Sequence, residues 1–448
     1  MKTLKKVLVC IVSLLPLFNC GKSDALVEGP IPQNAAPQIE NQEFTTAENI
    51  DETTLIGTIV ITGANTNEVT YTITTNDNDL FTINETGALY LAPNKHLNYD
   101  VAQSHTITVE VSSGAKIASA NITINVTNIA DIYIAGVNND YKPVVWKNGT
   151  ITELPVPTDW RARKVDIHVS KKGDVYVIGE IYSQNQTRII LWKNEEATTL
   201  VYESKKARFP SICTDNEKVY ATWREGIPGN IDPTANIILY KNGDRVNLTP
   251  GTITIADSRD ISVFENEVYV TGYDDAIDGR REAVLWKNTT KIPLNNTTIT
   301  PTTDLSSVAF SIFISDNGSK YIPFTEIERV APQKFEHTLK LWQDGVVTTF
   351  SAQSETNGEV YPTSMFVANN NTYIVGYQYN NSFDENTSFL WKIEEGEIER
   401  TIFTNVKLNA VSVFDDDVYV LGSGKKFWKN GIEVSVEGLR IATALFIK

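Results

Sequence analysis

Six aromatic residues are the first candidates for binding chemistry in this sequence. They stand in segments of uneven length, among Asp, Asn, Gly and Arg residues, as in Tyr273-Asp274-Asp275. An aromatic ring with polar groups beside it suits the surface of a sugar or of a protein partner. The predicted binding residues are Trp160, Tyr182, Trp223, Tyr273, Tyr377 and Tyr379.

The sequence contains no motif of a known reaction. Gly-x-Ser-x-Gly, His-Glu-x-x-His and the phosphate-binding loop are all missing from it. His168 falls in an expected innermost strand, which favours a core or channel residue over a catalytic base. A glycoside hydrolase needs only two carboxylates at a suitable separation, and the acidic residues are too many for the sequence to select a pair. A polysaccharide-active enzyme is therefore the alternative to a binding protein.

The amino-acid composition limits the fold class and the kinds of partner that the protein can bind. The 448 residues include 55 Asp and Glu against 39 Lys and Arg, for a formal charge of −16. A nucleic acid is bound by clustered Lys and Arg, so we expect no nucleic-acid partner. Only 2 residues are Met, whereas Thr, Asn, Val, Ile and Tyr are plentiful. This mixture favours strands and turns and predicts an all-β protein.

Residues 1–19 have the layout of a lipoprotein signal peptide. Three Lys residues precede the apolar stretch Val7–Phe18, which is too short to span a membrane. The end of this stretch, Leu17-Phe18-Asn19-Cys20-Gly21, resembles a bacterial lipobox, with an apolar residue three before the Cys and with Asn19 where a small residue is usual. That resemblance implies a lipid on Cys20. We expect an exported protein anchored to a bacterial membrane, the outer membrane by preference, facing the surface or the periplasm, with residues 20–36 as a flexible tether.

Residues 37–130 alternate apolar and polar side chains in short runs, which predicts a β-sandwich of about seven strands. The order of the signals resembles a cadherin repeat, and this resemblance implies cell adhesion and calcium binding. The segments that carry it include Pro37-x-Ile39, Ala47-Glu48-Asn49, Leu97-Asn98-Tyr99-Asp100 and Val126-Thr127-Asn128-Ile129.

The calcium ligands implied by the cadherin resemblance are Glu48, Asp100 and Asp131. The central loop of the repeat reads Gly63-Ala64-Asn65-Thr66-Asn67, where the family has alternating aspartates. Calcium takes six to eight oxygen ligands, several of them carboxylates. The alternative to a calcium site is therefore a spacer without metal.

Residues 131–448 repeat a hexamer seven times, with a Trp in six copies and Tyr240 in the remaining one. A Tyr motif accompanies it, as in DVYVIG, with steps of 43 to 52 residues between successive Tyr positions. This is the period of a four-stranded propeller blade, so we predict a seven-bladed β-propeller. The WxNG pattern resembles repeats of other secreted bacterial propellers. The hexamers are VVWKNG (144–149), ILWKNE (190–195), ILYKNG (238–243), AVLWKN (283–288), KLWQDG (340–345), FLWKIE (389–394) and KFWKNG (426–431).

The hexamer and the C-terminus carry two further predictions. Asn-Gly is the favoured two-residue hairpin turn because both central residues need positive φ, so each hexamer is a strand with its turn and its Trp packs between neighbouring blades. The first repeat lacks one strand, and 442–447 matches the missing type. We expect this C-terminal strand to pair with the first blade and close the ring.

The loops between the Tyr and Trp strands vary in length, whereas the other turns are tight. Variable loops on a rigid scaffold are where binding usually occurs. We therefore predict an envelope adhesion or binding protein whose loop face holds a glycan or an envelope protein. The alternatives are the polysaccharide-active enzyme and a structural subunit of an envelope complex.

Overall fold

The structure is a computed structural model. It describes residues 36–63, 69–99, 101–184, 186–201, 207–226, 235–250, 256–275, 280–295, 305–331, 334–351, 359–379 and 387–448. These residues form strands and turns, with one 3-10 turn at Asp77–Asp79. The all-β prediction is confirmed for them. The chain divides into two compact units, Met1–Ile129 and Ala130–Lys448.

The first unit is a sandwich of two sheets. Alternating side chains of its long strands face inward, and Ile107, Val109 and Ile122 are almost fully buried against Leu89 of the other sheet. One sheet has the strand order β1-β7-β6-β3, with β1 parallel to β7, and the other has the order β2-β5-β4. The strands are β1 (Gln42–Ala47), β2 (Gly57–Thr58), β3 (Thr70–Thr75), β4 (Phe81–Ile83), β5 (Ala88–Leu91), β6 (Ser104–Ser113) and β7 (Lys116–Thr127).

The second unit contains seven successive antiparallel sheets among its described residues. Sheets 1 to 4 have four strands each. They are β8 (Ile132–Val137), β9 (Pro143–Lys147) and β10 (Thr150–Glu153); β11 (Arg161–Val169), β12 (Val175–Ser183), β13 (Gln186–Lys193) and β14 (Glu196–Val201); β15 (Arg208–Asp215), β16 (Lys218–Gly226), β17 (Ala235–Lys241) and β18 (Asp244–Asn247); β19 (Asp257–Phe264), β20 (Glu267–Asp275), β21 (Arg281–Lys287) and β22 (Thr290–Pro293).

Sheets 5 to 7 follow the same plan. In sheet 5 the first strand is split, so that two short strands both pair with the next one. They are β23 (Leu305–Ala309), β24 (Phe313–Ile314), β25 (Lys320–Ala331), β26 (Lys334–Gln343) and β27 (Val346–Ser351); β28 (Glu359–Ala368), β29 (Asn371–Tyr379), β30 (Thr387–Glu394) and β31 (Glu397–Thr404); β32 (Leu408–Phe414), β33 (Asp417–Gly422), β34 (Phe427–Lys429) and β35 (Ile432–Val434).

The last strand, β36 (Ile441–Ile447), belongs to sheet 1. It pairs with β8, with Leu445 opposite Ile134. The predicted pairing of the C-terminal strand with the first repeat is therefore confirmed. A channel cavity of 370 Å³ is lined by the first strand of sheets 2 to 7 and by β36. Four-stranded sheets around a central channel are the architecture of a β-propeller.

The repeated Trp-Lys-Asn sequence stabilises one end of sheets 1, 2, 4 and 7. In sheet 2 the Asn194 side chain accepts a hydrogen bond from the Val175 N–H (2.8 Å) and donates one to Asp174 (2.6 Å). Lys193 Nζ lies 2.9 Å from the Asp174 carboxylate. Asn194 has a φ of +45°, as the predicted tight turn requires. The Trp192 side chain is fully buried and donates to the Pro155 carbonyl (2.8 Å), in the connection from sheet 1. Its predicted packing role is confirmed.

Among the residues that the structure describes, no helix has the length and hydropathy needed to cross a membrane.

Candidate binding site at the loop end of the channel

The two ends of the propeller differ in their connections. The hairpins between second and third strands and the connections between sheets lie at one end, called here the loop end. The tight turns after each first and third strand lie at the other, the turn end. Strand β11 runs from Arg161 at the loop end to Val169 at the turn end. Lys164 therefore lines the channel near the loop end, and His168 lines it near the turn end.

At the turn end, His168 and its neighbours line a second cavity, of 630 Å³. The His168 ring packs edge-on against Phe446, with 4.7 Å between centroids, and its Nδ1 lies 2.9 Å from the Thr214 hydroxyl. Burial lowers the pKa of His168 to about 4, so the ring is neutral at pH 7 and shares a hydrogen bond with the Thr214 hydroxyl. The interpretation of His168 as a channel residue is confirmed.

Two carboxylates meet at one hydroxyl midway along the channel wall. Ser211 Oγ lies 2.8 Å from Asp166 Oδ2 and 3.1 Å from Asp260 Oδ1. A hydroxyl has a single proton to donate. Both contacts are therefore hydrogen bonds at the same time only when one carboxyl is protonated and donates to Ser211.

Of the two carboxyls, that of Asp260 is the protonated one, because its surroundings raise its pKa more strongly. Burial is the main cause that raises its pKa to about 7; the Ile312 N–H opposes this increase and the charge of Asp166 adds to it. Burial also raises the pKa of Asp166, but the nearby Lys164 opposes this increase. The protonated Asp260 carboxyl therefore donates a hydrogen bond to Ser211 Oγ, and the Ser211 hydroxyl donates one to Asp166.

These carboxylates also join neighbouring sheets. Asp166 Oδ2 accepts the Ile212 N–H (3.0 Å) of sheet 3, and Asp260 Oδ2 accepts the Ile312 N–H (3.0 Å) of sheet 5. The Thr443 hydroxyl of β36 donates to the Val165 carbonyl (2.6 Å) of sheet 2 in the same way. Polar residues of the first strands thus bond one sheet to the next around the channel.

Above these bonds, at the loop end, a continuous series of aromatic rings and cations surrounds the channel mouth. The Arg259 guanidinium lies 4.9 Å from the Phe209 ring and 5.8 Å from the Phe310 ring. Phe310 contacts Tyr361, and Tyr361 contacts Tyr377, with centroid distances of 5.7 and 5.6 Å. All four rings are partly exposed. We call them the aromatic arc: Phe209, Phe310, Tyr361 and Tyr377.

A cation lies at each end of the aromatic arc. Lys164 Nζ is 5.8 Å from the Phe209 ring, and Lys407 Nζ is 3.9 Å from the Tyr377 ring. Cations over aromatic faces hold the rings in place. The arc therefore presents fixed flat surfaces beside fixed positive charges.

Phe209 reaches the mouth through a strained backbone. Its φ is +55°, a conformation that an aromatic residue rarely adopts outside glycine-like turns. The strand register shifts at this point, between Arg208 and Ser211. Strain of this kind costs about 1–3 kcal/mol and concentrates at functional sites.

Two buried polar atoms face the channel at this end without a protein partner. Among the described residues, Ser311 Oγ and Arg259 Nε have no hydrogen-bond partner, and both residues line the channel cavity. Ser311 is only 6% exposed. A buried polar atom without a bond costs free energy, so these atoms are suited to a bound polyol or to ordered water.

Four arginines stand beside the aromatic arc on sheets 2 to 4. Arg163 lies 3.2 Å from Glu180, and Arg208 also interacts with that carboxylate. Arg224 and Arg281 interact in the same way with Asp257. Burial raises the pKa of both acids despite these cations. We call these four residues the arginine flank.

The structure corrects the prediction for three of the six aromatic candidates. Trp160, Trp223 and Tyr273 are 7%, 0% and 4% exposed, so their faces are not available for stacking. Arg188 covers Trp160 at 4.2 Å and Arg281 covers Tyr273 at 4.8 Å. The sequence could not show this burial, because an aromatic residue in a loop-adjacent position also fills the core between two sheets.

The other three candidates have different positions. Tyr377 belongs to the aromatic arc. Tyr182 is half-buried beneath Arg163, 4.4 Å from its guanidinium, and lines a separate loop-end cavity of 750 Å³ with Arg161. The Tyr379 side chain lies outside the described residues.

The predicted calcium ligands that the structure describes, Glu48 and Asp131, each hold other protein groups. The Glu48 carboxylate accepts hydrogen bonds from the Tyr99 and Ile129 N–H groups (2.9 and 3.1 Å). Asp131 holds Lys147 at 2.7 Å and the Asn148 amide at 2.7 Å, as its counterparts do in other repeats. Asp100 and the predicted lipidation residue Cys20 lie outside the described residues. No group of three potential metal ligands occurs in the described part of the chain.

Most residues of the loop-end site were not predicted from the sequence, because the prediction was restricted to the variable loops and the residues next to them. Lys164, Phe209 and Arg259 lie on the first strands, and Phe310 and Tyr361 lie on or beside them. A signal was present in Arg161–Val169 and Asp257–Phe264, which carry charges where a buried strand would be apolar. In a propeller the first strand faces the channel, so such charges indicate channel residues.

No family model and no curated protein matches this chain. Similar solved structures include an α-L-arabinofuranosidase of Fusarium graminearum in complex with arabinobiose (11% identity, 65% of this chain and 95% of that chain, TM-score 0.39). A Penicillium chrysogenum α-L-arabinanase complexed with arabinobiose has 11% identity, covers 72% and 98%, and has a TM-score of 0.39. A quinonprotein alcohol dehydrogenase-like protein from Bacteroides thetaiotaomicron has 11% identity, covers 92% and 98%, and has a TM-score of 0.39. At these scores no activity is transferred to this chain.

Proposed function

We propose that the protein is a glycan-binding protein of the bacterial cell envelope, with its binding site at the loop end of a closed, seven-bladed propeller. The single observation that carries this proposal is the aromatic arc. Four partly exposed rings with cations between and beside them line one mouth of the channel. Sugars bind by stacking their apolar faces on such rings while their hydroxyls bond to the polar groups around them.

The proposal also includes the anchoring of the protein. Lipidation at Cys20, export and attachment to a bacterial outer membrane are supported by the lipobox-like sequence. An adhesion role is supported by the cadherin-like order of segments in 37–130. Calcium is not part of the proposed mechanism, because Glu48 and Asp131 are engaged by other groups.

A glycan-array screen of the purified protein tests the proposal. We expect at least one oligosaccharide to bind, and we expect Phe310→Ser and Tyr377→Ser each to weaken binding by about tenfold, as for residues at the centre of an interface. Lys172→Gln at the turn end is the matched control, because this side chain is 73% exposed and pairs with Glu217, far from the aromatic arc. Equal binding by all three variants, with unchanged thermal unfolding, contradicts the proposed site.

A polysaccharide-active enzyme is a second candidate, because Asp166 and Asp260 form a buried carboxylate pair with raised pKa values. Such a pair is what a glycosidase uses as acid and base. However, every oxygen of both carboxylates already accepts a backbone or Ser211 bond. We therefore assign them to holding the sheets together. Release of reducing sugar by the protein, abolished by Asp260→Asn, would reverse this assignment.

A further inference from the structure

The charge at the loop end differs from the charge of the whole chain. The protein carries −16 in total, yet sheets 2 to 4 bring six cations to one side of the channel mouth. The carboxylates that these cations face are Asp166, Glu180, Asp257 and Asp260. The six cations are Lys164, Arg259 and the four residues of the arginine flank.

The four carboxylates that these cations face do not balance them. Other acids at this end of sheets 3 and 4 have cations of their own, Arg245 beside Glu225 and Lys291 beside Asp274 and Glu282. Asp260 is protonated up to a pH of about 7, because burial raises its pKa. Glu180 and Asp257 are 2% and 1% exposed, so a ligand in solution reaches the guanidinium groups rather than these acids. The Arg163 side chain is 51% exposed and that of Arg259 is 27% exposed.

Like charges are also placed opposite each other in this region. Arg208 of β15 lies directly across from Arg224 of β16. Like charges at opposite positions of neighbouring strands are unfavourable. Their repulsion is relieved in part by Glu180 on one side and Asp257 on the other. An anion bound between the two guanidinium groups would relieve it further.

Acids also lie opposite each other near the loop end, on sheets 4 and 5. In sheet 4, Asp274 is across from Glu282, and Lys291 pairs with both. Sheet 5 has Glu328 opposite Glu336 near its loop end. The positive region is therefore confined to sheets 2 to 4, next to the Phe209 end of the aromatic arc. A ligand that stacks on the arc places its substituents against the arginine flank when it extends toward sheets 2 to 4.

We propose that the glycan bound at the loop end is acidic, with its carboxylates held by the arginine flank. This inference rests on the proposed glycan-binding function. Arginine suits the role because its planar guanidinium bonds a carboxylate through two N–H groups.

Binding to three polymers tests the inference. The probes are polygalacturonate, the same polymer with its carboxyls reduced to alcohols, and polyglutamate, which has carboxylates but no sugar. We expect polygalacturonate to bind at least about tenfold more tightly than either of the others, and its affinity to fall when NaCl rises from about 50 to about 500 mM.

Substitutions in the arginine flank test whether these residues bind the carboxylates of polygalacturonate. Arg208→Gln and Arg281→Gln should each weaken polygalacturonate binding by about three- to tenfold, while Arg208→Lys retains most of it. Arg400→Gln is the matched control, since Arg400 is exposed on the outermost strand β31. Thermal unfolding of each variant separates loss of binding from loss of structure.

The outcomes distinguish the two proposals. Equal binding of the reduced polymer overturns the acidic-glycan inference and leaves glycan binding in place. Equal binding of polyglutamate shows recognition of charge alone and overturns the glycan function. Binding of none of the three overturns the acidic-glycan inference, and the glycan array then decides the function.

Discussion

The two ends of the propeller use their side chains in opposite ways. At the turn end the same residues recur: Asp174, Lys193 and Asn194 of sheet 2 have counterparts in Asp131, Lys147 and Asn148 of sheet 1, with the same bonds. At the loop end the sheets differ, with arginines on sheets 2 to 4 and glutamates on sheet 5. A residue repeated from sheet to sheet stabilises the sheets, whereas a residue found in one sector is available for a ligand.

The largest effect expected from this comparison is on stability, at a repeated position. Trp192→Ala removes a side chain that is fully buried between sheets 1 and 2, together with its bond to Pro155. We expect the free energy of unfolding, measured by urea denaturation, to fall by about 3–5 kcal/mol. A loss below about 1 kcal/mol would show that the repeated Trp does not hold neighbouring sheets together.

The second effect depends on pH and concerns Asp260, midway between the ends. A carboxyl whose pKa is raised in the fold stabilises most at low pH, and that stability is lost as pH rises through its folded value, here about 7. We expect the wild-type protein to lose a few kcal/mol between about pH 4 and 8, and Asp260→Asn to flatten this loss because its amide carries no charge.

His168 provides an internal check on the pH profile. Its pKa is lowered to about 4, so its contribution is present above its unfolded value and is lost as pH falls from about 6.5 toward 4. His168→Gln should change only this acid side of the profile. If Asp260→Asn keeps the wild-type slope between pH 6 and 8, then Asp260 is not the protonated member of the pair.

The smallest effect concerns one turn of sheet 2. Glu195 has a φ of +75°, where several other repeats have Gly. Glu195→Gly should raise the free energy of unfolding by about 1 kcal/mol, because it removes the strain of a side chain in the left-handed region. Asn194→Ala should lower it by a similar amount, since two side-chain bonds are lost. Equal effects of the same sign would contradict this account of the repeat.

Periodicity explains why the fold was easier to predict than the site. The spacing of the Tyr motifs predicted four-stranded units, and the unmatched segment 442–447 predicted the pairing of β36 with β8. Both depend on local patterns repeated along the chain. The site instead combines Phe209, Arg259 and Phe310 from three sheets, and only closure of the channel brings them together.

The six aromatic candidates show the same limit of prediction from local sequence patterns. The sequence favours Trp223 because it directly precedes the long segment 224–236, yet its ring is buried beside Tyr240. Type and spacing identified aromatic residues near the loop end. They did not indicate which rings fill the space between sheets and which remain partly exposed, because that depends on the neighbouring sheet.

Hydrogen–deuterium exchange with and without saturating oligogalacturonate tests most directly which end binds. The account predicts slower exchange at the loop-end part of the first strands, around Lys164, Arg259 and Phe310, and no change in the turn-end segments 170–174 and 215–217. Protection of the turn-end segments, with the loop end unchanged, would contradict the central claim.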